Sequence, residues 1–193
     1  LGNQRRWLTS SCIDGCAVLL QHHLCDDTFN VAVLSSFVAD SSRSHQQNDS
    51  LWRLAKHTGF WGKKLWVVPV HHQQHWVLGL VDTSQQRISI FDSLGQSTTC
   101  EAVAHIIYDI VIRLSALALQ HKNHVIPVSS WLSHCSSHKR LQHNSYDCGV
   151  WVLACMVAIF SGSTSVEATE EEIREFRLWL FVQAFSLPTY ALT

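Results

Sequence analysis

The stretch Gln142–Phe160, QHNSYDCGVWVLACMVAIF, decides the fold. From Cys148 onward it carries no charged side chain, and a helix apolar all round is one buried on every side. Gly149–Phe160 is far shorter than the roughly 20 apolar residues that cross a bilayer, so it reads as a core helix. Asp147 stands where an N-cap belongs. The polar run SSWLSHCSSHKRLQHNSY ahead of it belongs at the surface, so Cys148 lies where a surface loop enters a buried helix. A thiol there faces unpaired backbone N–H groups and the positive end of the helix dipole, both of which favour thiolate. A small buried cysteine is the commoner meaning of such a position, but the neighbours argue otherwise. Gly149 permits close backbone approach, and Gln142 supplies an amide able to donate to a developing oxyanion.

A thiolate nucleophile needs a base that later serves as acid, and imidazole is the usual supplier of both. Three β-rich runs, Leu65–Val70, Trp76–Val81 and Arg87–Phe91, are separated by the polar stretches HHQQ and DTSQQ and read as consecutive antiparallel strands. His75 begins the second of them, with His71 and His72 in the preceding turn. Asp92 ends the third, in IFDSLG, and closure of two adjacent antiparallel strands brings these two ends together.

Helical spacing runs from Cys12 to Leu24 and from Glu101 to Leu119. Thr169-Glu170-Glu171-Glu172 has the form of a capping box opening a third helix through Ile173, Phe176 and Leu180. Val125–Val128 is short enough to be only a strand, and Asp40–Ser50, DSSRSHQQNDS, has the composition of a surface loop or mobile segment. Helices at both ends with strands clustered between them define an α+β domain, a central mixed or antiparallel sheet packed by helices.

Composition narrows the function. Charged residues are 15% and hydrophobic residues 47% of 193, which excludes a disordered tail and fits one domain over 1–193. With 14 basic against 15 acidic residues and no basic cluster, a nucleic-acid partner is not expected. Seven cysteines without a regular framework read as mostly reduced and intracellular. Cys12, Cys16, His22, His23 and Cys25 lack paired C-x-x-C spacing, which argues against zinc. No membrane-spanning segment is expected, and the opening LGNQRRW has neither an initiator Met nor a signal-peptide core, which reads as a domain cut from something larger.

The strings QHNSYDCGVWV, HW at 75–76 and FDSLG at 91–95 resemble the Ulp/SENP family of ubiquitin-like-protein cysteine proteases, and RRWLTSSCID is similar to that family's early tryptophan-leucine motif. The resemblance runs from Trp7 to about Phe160. It implies a papain-like cysteine protease fold, with Cys148 as nucleophile, His75 as base and then acid, Asp92 as its orienting carboxylate and Gln142 as oxyanion donor. It further implies that Trp7 and Trp76 wall a narrow slot around a modifier's C-terminal Gly-Gly, and that no cofactor or metal is required. SUMO is the favoured modifier, with ubiquitin or a Nedd-type modifier as alternatives, and the catalytic domain is expected to be monomeric. An acidic residue often found three positions after the motif tryptophan, where it helps hold the modifier's tail, is Ser10 here; either Ser10 replaces the charge, or the contact is lost or supplied from elsewhere, with Asp14 the nearby candidate. A module that binds a modifier without cleaving it is the reading that a broken triad would favour.

Overall fold

The three apolar runs become the centre of a five-stranded sheet in the computed structural model, which describes residues 5–25, 30–43, 48–136, 139–163 and 165–186. Strands β2 (Leu65–His72), β3 (His75–Asp82) and β4 (Arg87–Phe91) are antiparallel neighbours. Strand β1 (Val31–Val33) pairs in parallel with β2, and β5 (Leu132–Cys135) in parallel with β4, so the sheet is mixed with order β1-β2-β3-β4-β5.

Helices cover both faces. On one lie α2 (Phe37–Arg43), α3 (Asn48–Ala55) and the long α4 (Ser97–Lys122), which buries Val103, Ile107, Ile110, Val111 and Leu114 with Val68, Val70, Val77 and Ile90. Helix α4 is long and apolar enough by composition to cross a bilayer, and this stripe packs it against the sheet instead. Gly79 is where sheet and helix approach most closely, since a Cβ there would stand 2.5 Å from Ile107 Cδ1. On the other face α1 (Ser10–Leu24), α5 (Cys148–Phe160) and α6 (Glu170–Ser186) bury Ile13, Leu20, Trp151, Leu153, Met156, Ile173 and Leu180 against Val67, Trp76 and Leu78. Each fully buried Leu or Ile contributes about 1.5–3 kcal/mol. Helix α5 is thus the centre of one of two cores, and only Ala154, Val157, Ala158 and Ile159 on it are half-exposed.

The expected capping box is present. The Thr169 N–H donates to Glu172 Oε2 at 2.7 Å, and the Glu172 N–H donates to Thr169 Oγ1 at 3.3 Å.

Three expectations are corrected, and the structure adds a strand and a disulfide. His71 and His72 belong to β2, and the turn is only Gln73-Gln74. Val125–Val128 forms no strand, with Val125 and Val128 both exposed. The fifth strand is the polar Leu132–Cys135, an edge strand mostly exposed and so without an apolar alternation to betray it. Within Asp40–Ser50, residues 40–43 end α2 and 48–50 begin α3, while 44–47 lie outside the described residues. Finally, Cys100 and Cys135 are joined by a disulfide, their Cα atoms 5.7 Å apart because α4 starts beside the end of β5, while Cys12, Cys16, Cys148 and Cys155 are free thiols. The opening LGNQ also lies outside the described residues, as does Phe29, where the apolar stretch Phe29–Val38 of the sequence begins.

Candidate active site

Strand pairing places the first two site residues. β3 and β4 pair from Leu78↔Phe91 onward, so β3 runs past the end of β4, and His75 at its start reaches Asp92 just beyond Phe91. Nε2 of His75 donates to Asp92 Oδ1 at 2.6 Å. Cys148, the first residue of α5, lies close enough to the imidazole to raise its pKa. Asp92 is fully buried, and its carboxylate accepts the backbone N–H of Leu94 at 2.9 Å and of Gln96 at 3.0 Å.

These contacts set the protonation states. Burial, the largest influence on His75, disfavours the imidazolium, yet the hydrogen bonds to Asp92 and Cys148 and the charges of both raise its pKa to about 9. Burial likewise pushes the Asp92 carboxyl up, but the bond from His75 and the N–H groups of Leu94 and Gln96 outweigh it and hold it below the ordinary carboxylate value. His75 therefore carries a proton at neutral pH, against a fixed carboxylate. Elsewhere burial, helped by Cys12, pushes the Cys16 thiol up to about 11, and burial alone pushes Cys155 up to about 12.

Gln142 is buried beside this pair. Its Oε1 accepts from Ser93 Oγ at 2.8 Å and its Nε2 donates to the Asn144 carbonyl at 2.7 Å, leaving the second amide hydrogen to point elsewhere. Gly149 is closely packed: a Cβ would stand 3.0 Å from Ile13 Cδ1 and 3.2 Å from both Leu8 Cβ and Trp76 Cδ1, so those side chains would have to give way. A cysteine sulfur next to an imidazole, with a carboxylate behind the ring and an amide donor nearby, forms a set able to attack a carbonyl and, through the ring, pass the sulfur's proton to the leaving group.

Residues 6–189 match the Ulp1 protease family, C-terminal catalytic domain. The chain belongs to that family. It is 31% identical over 114 residues to the putative ubiquitin-like-specific protease 1B of Arabidopsis thaliana, covering 58% of this chain and 31% of that protein. Over 161 residues it is 27% identical to the ubiquitin-like-specific protease 1 of Saccharomyces cerevisiae, covering 82% of this chain and 24% of that protein. The chain thus spans a third or less of these curated relatives. Among solved structures, a de-sumoylating protease superposes with TM-score 0.72 at 17% identity, covering 98% of this chain and 85% of that one. The yeast C-terminal Ulp1 protease domain, in complex with the SUMO ortholog Smt3, gives 0.66 at 21% identity, covering 94% and 80%. The Xanthomonas campestris effector XopD bound to ubiquitin gives 0.62 at 16%, covering 91% of each chain. At these identities the likeness is one of fold.

The remaining Ulp1-type motif residues lie around the same thiol. The Trp7 indole N–H donates to the Ser145 carbonyl at 2.7 Å while the residue stays 47% exposed. Trp76 is 2% exposed, donates to the Leu8 carbonyl at 2.8 Å and packs against Gly149. Asp14 is already engaged, accepting from Ser35 Oγ at 2.5 Å and the Ser36 N–H at 2.8 Å. Ser10, the first residue of α1, is half-exposed.

Asp147 occupies the N-cap position of α5, but its side chain makes no capping bond, which corrects the expectation. Its backbone at φ −95° and ψ 5° is not extended, and its carboxylate is turned toward Arg177 and Asn144. Asn144 organises the approach to Cys148 by accepting the N–H groups of Tyr146 and Asp147, both at 3.0 Å, through one Oδ1. Arg177, Asn144 and Ser93 escaped the sequence reading. Arg177 had one signal: it falls on the inward stripe of α6, between Ile173 and Leu180, where a cation needs a buried partner.

Proposed function

We propose that this chain is the monomeric, single-domain catalytic unit of a thiol protease that cleaves after the C-terminal Gly-Gly of a ubiquitin-like modifier, in precursors or in isopeptide conjugates to lysine. Cys148 Sγ attacks the glycine carbonyl, and the C–N bond breaks as His75 gives its proton to the leaving amine. Water, deprotonated by His75, then hydrolyses the thioester and frees Cys148. Gln142 Nε2 and the Cys148 N–H hold the tetrahedral oxyanion, and Asp92 keeps the imidazole oriented and charged. Trp7 and Trp76 bound a slot that admits glycine and rejects larger side chains. All proton and electron-pair transfers run through these side chains and water, so the route calls for no cofactor.

The observation that carries this reading is His75 bonded at 2.6 Å to buried Asp92, with Cys148 close enough to raise the imidazole's pKa and Gln142 buried in the segment that leads to it. An intact triad favours catalysis over a module that only binds. SUMO is the first choice of modifier, supported by the de-sumoylating protease and the Smt3 complex among the structural neighbours. Ubiquitin is the second reading, favoured by the ubiquitin-bound XopD neighbour. The test is turnover of SUMO, ubiquitin and Nedd-type precursors carrying a short C-terminal extension. SUMO processing with Cys148→Ala inactive but still binding is expected. Processing of ubiquitin alone would move the assignment to the second reading, and cleavage by Cys148→Ala would overturn the mechanism.

A further inference from the structure

We infer that Ser93 is a positioning residue for Gln142, and that the turn it occupies carries both the triad carboxylate and the oxyanion donor. This rests on the proposed oxyanion role of Gln142. A glutamine amide donates usefully only if its torsions are fixed and its oxygen and nitrogen are not exchanged. Here both ends are tied inside the protein: Oε1 accepts the Ser93 hydroxyl at 2.8 Å, and one Nε2 hydrogen goes to the Asn144 carbonyl at 2.7 Å. The carbonyl cannot donate, so the reversed amide would set two oxygens face to face. The amide plane is therefore set at two points, and the second N–H has a single direction.

Ser93 also holds the backbone of the same segment. Its carbonyl accepts the N–H groups of Leu141 and Gln142, both at 2.9 Å. Ser93 and Gln142 are each 1% exposed, so no water competes for these bonds. Immediately before Ser93 lies Asp92, whose carboxylate takes the N–H groups of Leu94 and Gln96 from the same turn. Gly95, at φ +66°, closes it so tightly against the 139–142 segment that a Cβ would stand 3.0 Å from the Lys139 carbonyl carbon. Residues 92–96 thus hold the His75 partner on one side and the Gln142 amide on the other.

The test compares Ser93→Thr with Ser93→Val, a pair that differs in the hydroxyl, in the wild-type and Gln142→Ala backgrounds. Turnover is read on the C-terminal aminomethylcoumarin amide of SUMO, or of ubiquitin if that is what the wild type hydrolyses. Ser93→Val is expected to lower kcat on the order of tenfold relative to Ser93→Thr with KM little changed, as for a slightly misplaced donor. In the Gln142→Ala background the two are expected to be equal, because there is no amide left to position. Equal kcat for the pair in the wild-type background, or the same loss in both backgrounds, would overturn the inference. Ser93→Ala against wild type gives the same comparison if the β-branched pair does not fold. Gln142→Ala alone is expected to cost about 10²–10³-fold. No loss there would retire the oxyanion role itself, separately from anything Ser93 does.

Discussion

Arg177 in the last helix grips Asp147, the residue immediately before Cys148, through Nε at 3.0 Å and Nη2 at 2.8 Å, both side chains 1% exposed. The same guanidinium donates to the Arg6 carbonyl, beside Trp7, and to the Tyr146 carbonyl, each at 3.1 Å. One buried cation thereby joins α6, the segment at Arg6–Trp7 that precedes α1 and the loop that leads into Cys148.

Removing that cation leaves the buried Asp147 carboxylate without its counter-ion, held only by Asn144, and takes a donor from the Arg6 and Tyr146 carbonyls. Arg177→Met is expected to destabilise the domain by about 3–5 kcal/mol. Arg177→Lys should recover little of it, since an ammonium cannot reproduce the planar fork. Urea titration checks this, and adding Asp147→Asn to Arg177→Met should restore part of the loss by removing the unpaired charge.

The His75–Asp92 pair has a pH signature. His75 is raised to about 9, so its contribution to stability is complete below its ordinary pKa of about 6.5 and is lost as pH rises through about 9. Asp92 is lowered, so its contribution is present above its ordinary 3.8 and is lost as pH falls through the depressed value. Turnover should fall on the alkaline side near pH 9, as the imidazolium needed to protonate the leaving amine disappears. In Asp92→Asn the burial of His75 is no longer offset by the carboxylate, so this alkaline limb should move to lower pH. An unchanged limb in the kcat/KM profile would contradict the assignment.

The hairpin that presents His75 is strained. Its two turn residues, Gln73 and Gln74, have φ of 46° and 62°, a left-handed conformation that disfavours a side chain by roughly 1–2 kcal/mol per residue. Asn-Gly is the pair such a turn prefers. Gln73→Asn with Gln74→Gly is therefore expected to raise Tm, worth about 1 kcal/mol in a thermal melt.

Gly79 gives the opposite result. Its missing Cβ makes room for Ile107, 2.5 Å from where a Cβ would stand, so Gly79→Ala should cost about 1–3 kcal/mol by overpacking. Ile107→Val in the same chain removes the offending Cδ1 and should recover part of that cost in the same denaturation assay.

What could be read in the sequence was what depends on local pattern. The three central strands, α1, α4, α5 and the Thr169 capping box follow from periodicity and side-chain type, and the closure of His75 on Asp92 follows from the hairpin linking their strands. β5 escaped because a short, exposed edge strand needs no apolar alternation. Asp147 was misjudged as a cap because Arg177, 30 residues on, outcompetes the helix end for its carboxylate. Ser93 escaped for the same reason: its bond to Gln142, 49 residues on, exists only once separate segments are folded together, whereas Asn144 acts locally through its bonds with Gln142, Tyr146 and Asp147.

The central claim is that Cys148 is the nucleophile toward a modifier's C-terminal glycine. It is tested most directly by treating the protein with SUMO and ubiquitin bearing a C-terminal electrophile and locating the adduct by tandem mass spectrometry. A single modifier linked to Cys148, and no adduct in His75→Ala at neutral pH on the same timescale, is the predicted result. Linkage to Cys12, Cys16, Cys25 or Cys155, or reaction with neither probe, would contradict it.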